Sequence, residues 1–221
     1  MSIPDLPPDY FARTDERDDA LFYSVPRKVM HIDEAAVRTL TNAYADLLPH
    51  GGVFLDLMSS WRSHLPLETL LPARVVGLGM NSAELEDNPQ LDEFLVHDLN
   101  QRPRLPFPDA HFDAVLCALS VQYLTQPIAV FEEVWRVLRP NGRFILSYSN
   151  RTFPSKATAV WLDTDDYQHI NLISYYFEKS GGWGQINARI RDSQTGAQPN
   201  EDPLYIVWAE KGGEGEEANE Q

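Results

Sequence analysis

The chain is expected to be an α/β protein: a mostly parallel sheet of seven strands with helices on both faces. Two observations predict this. From Leu105 to Asn150 the residues LPFPDAHFDAVLCALSVQYLTQPIAVFEEVWRVLRPNGRFILSYSN read as loop, buried strand, helix, tight turn and second buried strand. That is one crossover unit of a parallel sheet, whose strands are apolar along their length because both faces are covered. Short apolar runs separated by turn-forming residues then continue on either side of the unit, enough to supply the remaining strands.

Taken in order, the chain opens with a Pro- and Asp-rich segment through Asp19, expected to be irregular and wrapped on the surface. Asp33 is placed to cap a helix whose apolar face is Val37, Leu40, Tyr44 and Leu47, with Leu48 beside it, ending before Pro49 and Gly51-Gly52. Strands are expected at Val53 to Leu57, Arg74 to Leu78, Glu93 to Leu99, Phe112 to Leu119, Arg143 to Ser149, Gln185 to Arg191 and Pro203 to Glu210. Pro127 suits a first helical position. Ile128, Phe131, Val134 and Leu138 recur at helical spacing down to Arg136 and Arg139, where Asn141-Gly142 is expected to stop the helix. The division that follows is a cap segment and helix over 1–50, a main domain over 51–211 and an acidic, disordered tail over 212–221, whose GGEGEEANEQ has too little apolar matter to pack.

Composition narrows the function. A chain of 221 residues can bury one substantial core. Its net charge of −15 disfavours nonspecific binding to nucleic acid or anionic membrane, both of which need cationic surface. A small molecule is the expected partner, and oligomeric state is left open. The single cysteine rules out an internal disulfide, the start lacks a secretory pattern and no apolar stretch is long enough to span a bilayer, so a reduced, cytoplasmic setting is expected. Cys117 reads as a small core residue inside its strand. The histidines are scattered, with His64, His97 and His111 beside different elements, so no metal is expected. Glu132-Glu133 and Asp165-Asp166 read as solvated faces or loop ends.

The segments LPFPDAHFDAV and EEVWRVLRPNGRFIL closely resemble the second half of the Rossmann-like domain of class I S-adenosylmethionine-dependent methyltransferases, specifically the methyltransferase type 11 group. The resemblance is strongest from Val53 to Asn150, and the LPFPD loop and VLRPNG turn carry its specificity. A crossover unit alone would not name the chemistry. The resemblance implies the class I methyltransferase fold, with a late antiparallel strand at the sheet edge, S-adenosylmethionine as cofactor and methyl transfer to a small molecule.

It also implies roles for particular residues. VFLDLMSSWRSHLP stands where the family has an acidic strand end and a glycine-rich loop; Asp56 keeps the acid and Ser59 a small side chain, while Met58, Ser60 and Arg62 replace glycines and Pro66 delays the next helix. At the next strand end Gly79 holds the place of the ribose-binding acid. Asn81, two residues on, offers an amide for a hydroxyl, but with Glu84 three positions later it reads better as a helix cap. Asp98 stands where the family accepts the adenine amino group and Leu99 where an apolar residue covers the ring, with His97 on the other face of the strand.

In doubly wound sheets the ligand lies beyond the carboxyl ends of the strands, which brings in Ser120, Val121, Gln122 and Tyr123, with Tyr123 as the acceptor-side catalytic candidate, and then Asn150 and Arg151. The N-terminal FYSVPRKVMHID would cap the site, so that Tyr23, Arg27 and His31 face substrate or the cofactor carboxylate; the competing reading has the aromatics packing the cap and the basic groups in solvent. Trp161, His169 and Tyr176 are candidates for a second wall. Two function classes emerge, a methyltransferase and a noncatalytic relative that binds a ligand or partner, the latter motivated by the lost glycines and by Gly79.

Overall fold

The computed structural model describes residues 6–212. The expected acidic tail lies outside the described residues, apart from Gly212. A seven-stranded sheet runs in the order β3-β2-β1-β4-β5-β7-β6. Its strands are β1 (Val53–Leu57), β2 (Arg74–Gly79), β3 (Glu93–Val96), β4 (Phe112–Ala118), β5 (Leu138–Tyr148), β6 (Asn187–Arg191) and β7 (Leu204–Glu210). β3, β2, β1, β4 and β5 pair in parallel, and β7 runs antiparallel to both β5 and β6. The antiparallel strand therefore sits one place in from the edge, which β6 occupies, correcting the expected edge position.

The helices are α1 (Asp19–Phe22), α2 (Glu34–Leu47), α3 (Leu67–Leu70), α4 (Ser82–Glu86), α5 (Pro127–Val137), α6 (Ala159–Leu162) and α7 (Asp166–Lys179). Asp33 caps α2 by accepting from Ala36 N at 2.8 Å, and the helix buries Ala36, Leu40, Ala43, Tyr44 and Leu47. That face packs with Phe54, Val75, Leu116, Ile145 and Ile206 on one side of the sheet. On the other side α5 and α7 contribute Phe131, Val134, Ile173 and Phe177 against Leu55, Leu57, Val115 and Phe144. Successive strand residues enter opposite clusters, the alternation that a doubly covered sheet requires.

Two boundaries differ most from expectation, while the limits of β2, β4, β6 and β7 and the end of β5 shift by one or two residues. α5 ends at Val137 and Leu138 already belongs to β5, because Leu138 pairs with Phe112 and Arg139 reaches Asp113 at 2.7 Å. Asn141, at φ 64°, thus marks an irregularity within the early strand rather than the helix stop. β3 ends at Val96, so Asp98 and Leu99 lie in the loop after it. Among the described residues no helix is long and apolar enough to cross a membrane.

A candidate cofactor and acceptor cleft

The cavity begins where the parallel strands end. It has a volume of about 330 Å³ and is walled by the residues that follow β1, β2, β3, β4 and β5, with Tyr23 to His31 as a roof. This is the crevice at the carboxyl ends of an open α/β sheet, and the volume suits a small-molecule site.

The loop after β1 is organised by Asp56. Its Oδ2 accepts from Ser59 Oγ and Ser63 Oγ, each at 2.6 Å, and the carboxyl is 2 % exposed. Burial drives its pKa up to about 6 against the pull of the two serines. Met58, at the first replaced glycine, has φ 57°. The backbone there still takes the left-handed conformation that glycine adopts freely and other residues at a cost of about 1 kcal/mol. His64 (φ 59°) and Leu119 (φ 55°) share this conformation and also line the cavity. Strain of this kind gathers at functional sites.

None of the bulky loop residues plugs the space. Arg62 stacks on Trp61 at 4.1 Å and donates to the Trp61 carbonyl at 2.7 Å, Trp61 Nε1 donates to Val29 O at 3.1 Å, and Met58 packs against the core.

At the end of β2 the glycine has a packing reason. A Cβ on Gly79 would stand 2.2 Å from the Ser59 carbonyl oxygen, so no acid fits while the loop lies this close. Asn81 caps α4 by accepting from Glu84 N at 3.1 Å, and its amide donates to the Tyr23 carbonyl at 2.7 Å. Only half of a capping box forms. The Glu84 carboxylate turns into the cavity wall, accepting from Arg27 N at 2.5 Å and Ser60 Oγ at 2.6 Å. Asn81 and Glu84 are thus spent on the roof and the loop.

Asp98 behaves differently. Its Oδ1 accepts from Asn100 N at 2.9 Å and Gln101 N at 3.2 Å, a turn-forming pattern. Its Oδ2 is buried with no hydrogen-bond partner. Buried acceptors are rarely left unpaired, and Asp98 lines the cavity with buried Leu99 next to it. A bound molecule with an N–H donor would complete the site.

On the far wall, Tyr123 is 6 % exposed and its hydroxyl accepts from Phe153 N at 3.0 Å, with the two rings stacked at 5.9 Å. Ser120 lines the cavity and donates to the Ala118 carbonyl. Arg151 lines it from an exposed position while paired to Asp202 at 2.9 Å. Asn150 is exposed and outside the cavity wall, correcting its expected place there. Val121 and Gln122 are buried beneath the wall instead of lining it. Trp161, His169 and Tyr176 also leave the site: Trp161 and His169 stack on each other at 3.7 Å in the core, and Tyr176 packs on Phe131. His97 does line the cavity and reaches the Arg102 carbonyl through Nε2 at 2.7 Å.

The roof is pinned from both ends. Lys156, fully buried, meets Asp19 at 2.9 Å and donates to the Asp15 and Arg17 carbonyls at 3.1 and 2.8 Å. Arg13 Nη1 bonds both Asp19 oxygens, and Asn100 donates to the same carboxylate at 2.9 Å. Burial works against the ionised form of Asp19, but these bonds win and its pKa is lowered. Toward the other end Lys28 pairs with Asp87. Desolvation pushes the Tyr23 phenol up and His31 down, with Tyr123 adding to the first and Arg27 to the second. His64 falls to about 4, chiefly by burial and also through His31 and Arg62. Both imidazoles are neutral at neutral pH.

Asp19, Glu84, Asn100 and Phe153 complete the wall and were not singled out by sequence. The Asn81–Glu84 spacing was the only signal for any of them, and it reads as a cap. Among the described residues no group of His, Cys, Asp or Glu side chains could hold a metal ion.

Comparison with known proteins agrees with this architecture. A family described as a methyltransferase domain matches residues 62–146. A ubiquinone/menaquinone biosynthesis C-methyltransferase of Chromobacterium violaceum is 34 % identical over 97 residues, 36 % of this chain and 40 % of that protein. The 27-O-demethylrifamycin SV methyltransferase of Amycolatopsis mediterranei is 28 % identical over 124 residues, 52 % of this chain and 45 % of that protein. The chain spans less than half the length of these curated relatives. A Haloferax volcanii putative methyltransferase, solved in complex with the Trm112 methyltransferase activator, superposes with a TM-score of 0.58 at 16 % identity, covering 81 % of this chain and 91 % of that one, a likeness of fold. The match to a methyltransferase domain thus runs from the loop after β1 into β5, and the sheet with its cavity at the carboxyl ends of the strands has the fold of solved methyltransferase structures.

Proposed function

We propose that this chain is an S-adenosylmethionine-dependent methyltransferase that alkylates a small molecule by in-line displacement. One observation carries the reading: the buried, unpartnered Oδ2 of Asp98, beside apolar Leu99, is an acceptor waiting for the adenine amino group. The relatives named above methylate quinone precursors and a rifamycin by their printed names, which supports a small-molecule acceptor, as does a net charge of −15.

When bound, the cofactor supplies an electrophilic methyl group on a sulfonium. The chain's residues then have to align the acceptor in a dry pocket rather than build a nucleophile. The loop over Met58, Ser59 and Ser60 forms one wall, with Asp56 beneath it. Ser120 and Tyr123 form the other, and Tyr23 and the roof exclude water. Neutral His31 offers an imidazole able to take up a proton that the acceptor releases, whereas His64, held down to about 4, stays unprotonated. A cytoplasmic setting accords with this reading, supported by the lone buried thiol of Cys117.

Gly79 and the engagement of Asn81 by the roof favour a second reading, a noncatalytic relative that binds a ligand or partner. Isothermal titration with S-adenosylmethionine separates the two. The enzyme reading expects saturable binding below millimolar concentration, and Asp98→Ala should weaken it about tenfold or more, the cost of one bond to a charged group. Absence of binding at millimolar cofactor would leave the noncatalytic reading.

A further inference from the structure

We propose that Arg27 is the anchor for an anionic oxygen group and that the methyl acceptor is an organic acid with a flat apolar body. This rests on the methyltransferase reading of the same cleft. The Arg27 side chain is fixed from three directions. Its backbone N–H is held by Glu84, its Nη2 donates to the Phe22 carbonyl at 2.9 Å, and its guanidinium packs over Phe22 at 4.3 Å and Phe153 at 5.4 Å. Its Nη1 is buried with no partner.

A buried cationic donor with no acceptor is costly, and a side chain this constrained cannot swing out to find one. Of the four carboxylates along the cavity, Asp19 holds Arg13 and Lys156, Asp56 holds two serines, and Glu84 holds Ser60 and the Arg27 backbone, while Asp98, with its own Oδ2 unpartnered, makes no bond to Arg27. Nη1 is therefore a donor free for a ligand's oxygen, and guanidinium donors favour carboxylate.

The surroundings describe the rest of the molecule. Phe22, Tyr23 and Phe153 surround the guanidinium, Phe153 stacks on Tyr123, and Val29 and Met30 line the same cavity at 56 % and 46 % exposure, so this side of the cavity is walled by rings and apolar side chains. Such walls suit a planar apolar body. A carboxylate could come from the acceptor or from the amino-acid end of the cofactor. Contact with Phe153, which belongs to the Tyr123 wall and not to the Asp56–Ser60 loop, assigns it to the acceptor.

Benzoate and benzamide serve as probes, titrated into the protein with and without saturating S-adenosylhomocysteine. Benzoate should bind the loaded wild type at least about tenfold more tightly than benzamide, a comparison that needs no variant. Arg27→Met keeps the aliphatic stem over Phe22 and should lower benzoate affinity about tenfold or more while S-adenosylhomocysteine affinity stays within about twofold. Equal binding of the two probes to wild type, or unchanged benzoate affinity in Arg27→Met, overturns the proposal. A parallel loss of S-adenosylhomocysteine affinity also overturns it, since Arg27 would then hold the cofactor's own carboxylate. If S-adenosylhomocysteine fails to bind at all, the methyltransferase reading falls, and the benzoate arms without it still decide whether Arg27 is an anion site.

Discussion

Asp56→Asn isolates the electrostatic state of the loop that replaces the glycine-rich one. In the folded protein the Asp56 proton is lost at about 6, against 3.8 for the ordinary side chain. A rise of that size corresponds to about 3 kcal/mol. The sign follows from proton binding. The folded state holds the Asp56 proton more tightly than the unfolded chain, so this contribution to stability is complete below about pH 4 and is lost as pH rises through 6. Asparagine carries no charge to desolvate, and its side-chain oxygen can still accept from Ser59 and Ser63. Urea unfolding of both proteins from pH 4 to pH 7.5 should show the variant gaining on the wild type as pH rises, by about 3 kcal/mol across that interval. His64 tilts the absolute curves the other way: its folded value near 4 lies below the ordinary 6.5, so its contribution is full above pH 6.5 and fades as pH falls toward 4. It is common to both proteins and cancels in the difference. A difference that stays flat with pH, or one that favours the wild type at high pH, would refute the buried-carboxyl account.

Three further outcomes follow from the packing. Gly79→Ala drives a Cβ to within 2.2 Å of the Ser59 carbonyl and should cost about 1 to 3 kcal/mol by thermal denaturation, with the loop displaced; unchanged stability would show that the loop moves freely. Lys156→Met leaves Asp15 and Asp19 short of a fully buried cation and should cost about 3 kcal/mol or more in chemical denaturation, and a neutral effect would contradict the role given to this lysine as the roof's anchor. Glu84→Ala removes the acceptor shared by Arg27 N and Ser60 Oγ, so limited proteolysis within residues 20–32 should quicken severalfold; an unchanged cleavage rate would mean that the other roof contacts suffice.

The fold was legible because its signals are local. β1 was expected at the residues where it forms, β4 and β7 differ only at their ends, and Asp33 caps α2 as its position implied. The end of α5 was misjudged because Leu138 keeps the helical period while its partner, Phe112, lies 26 residues away and draws it into the sheet. Asp98 and Gly79, singled out through family register, both line the cavity, but the reason for Gly79 lies in the Ser59 carbonyl from another loop. The roof was the least legible part. Its anchors join Lys156 to Asp19 and Asn81 to Tyr23, pairs far apart in sequence that no spacing rule connects. Trp161 and His169 illustrate the converse error, since an aromatic and polar cluster in sequence became a stacked core pair.

The central claim is that the cleft accepts a nucleoside through Asp98. A crystal structure with S-adenosylhomocysteine tests it most directly. The adenine amino nitrogen is predicted to lie about 3 Å from Asp98 Oδ2 with the ring against Leu99. A cavity without the nucleoside at saturating ligand, or a nucleoside bound with Asp98 Oδ2 still unpartnered, would contradict it.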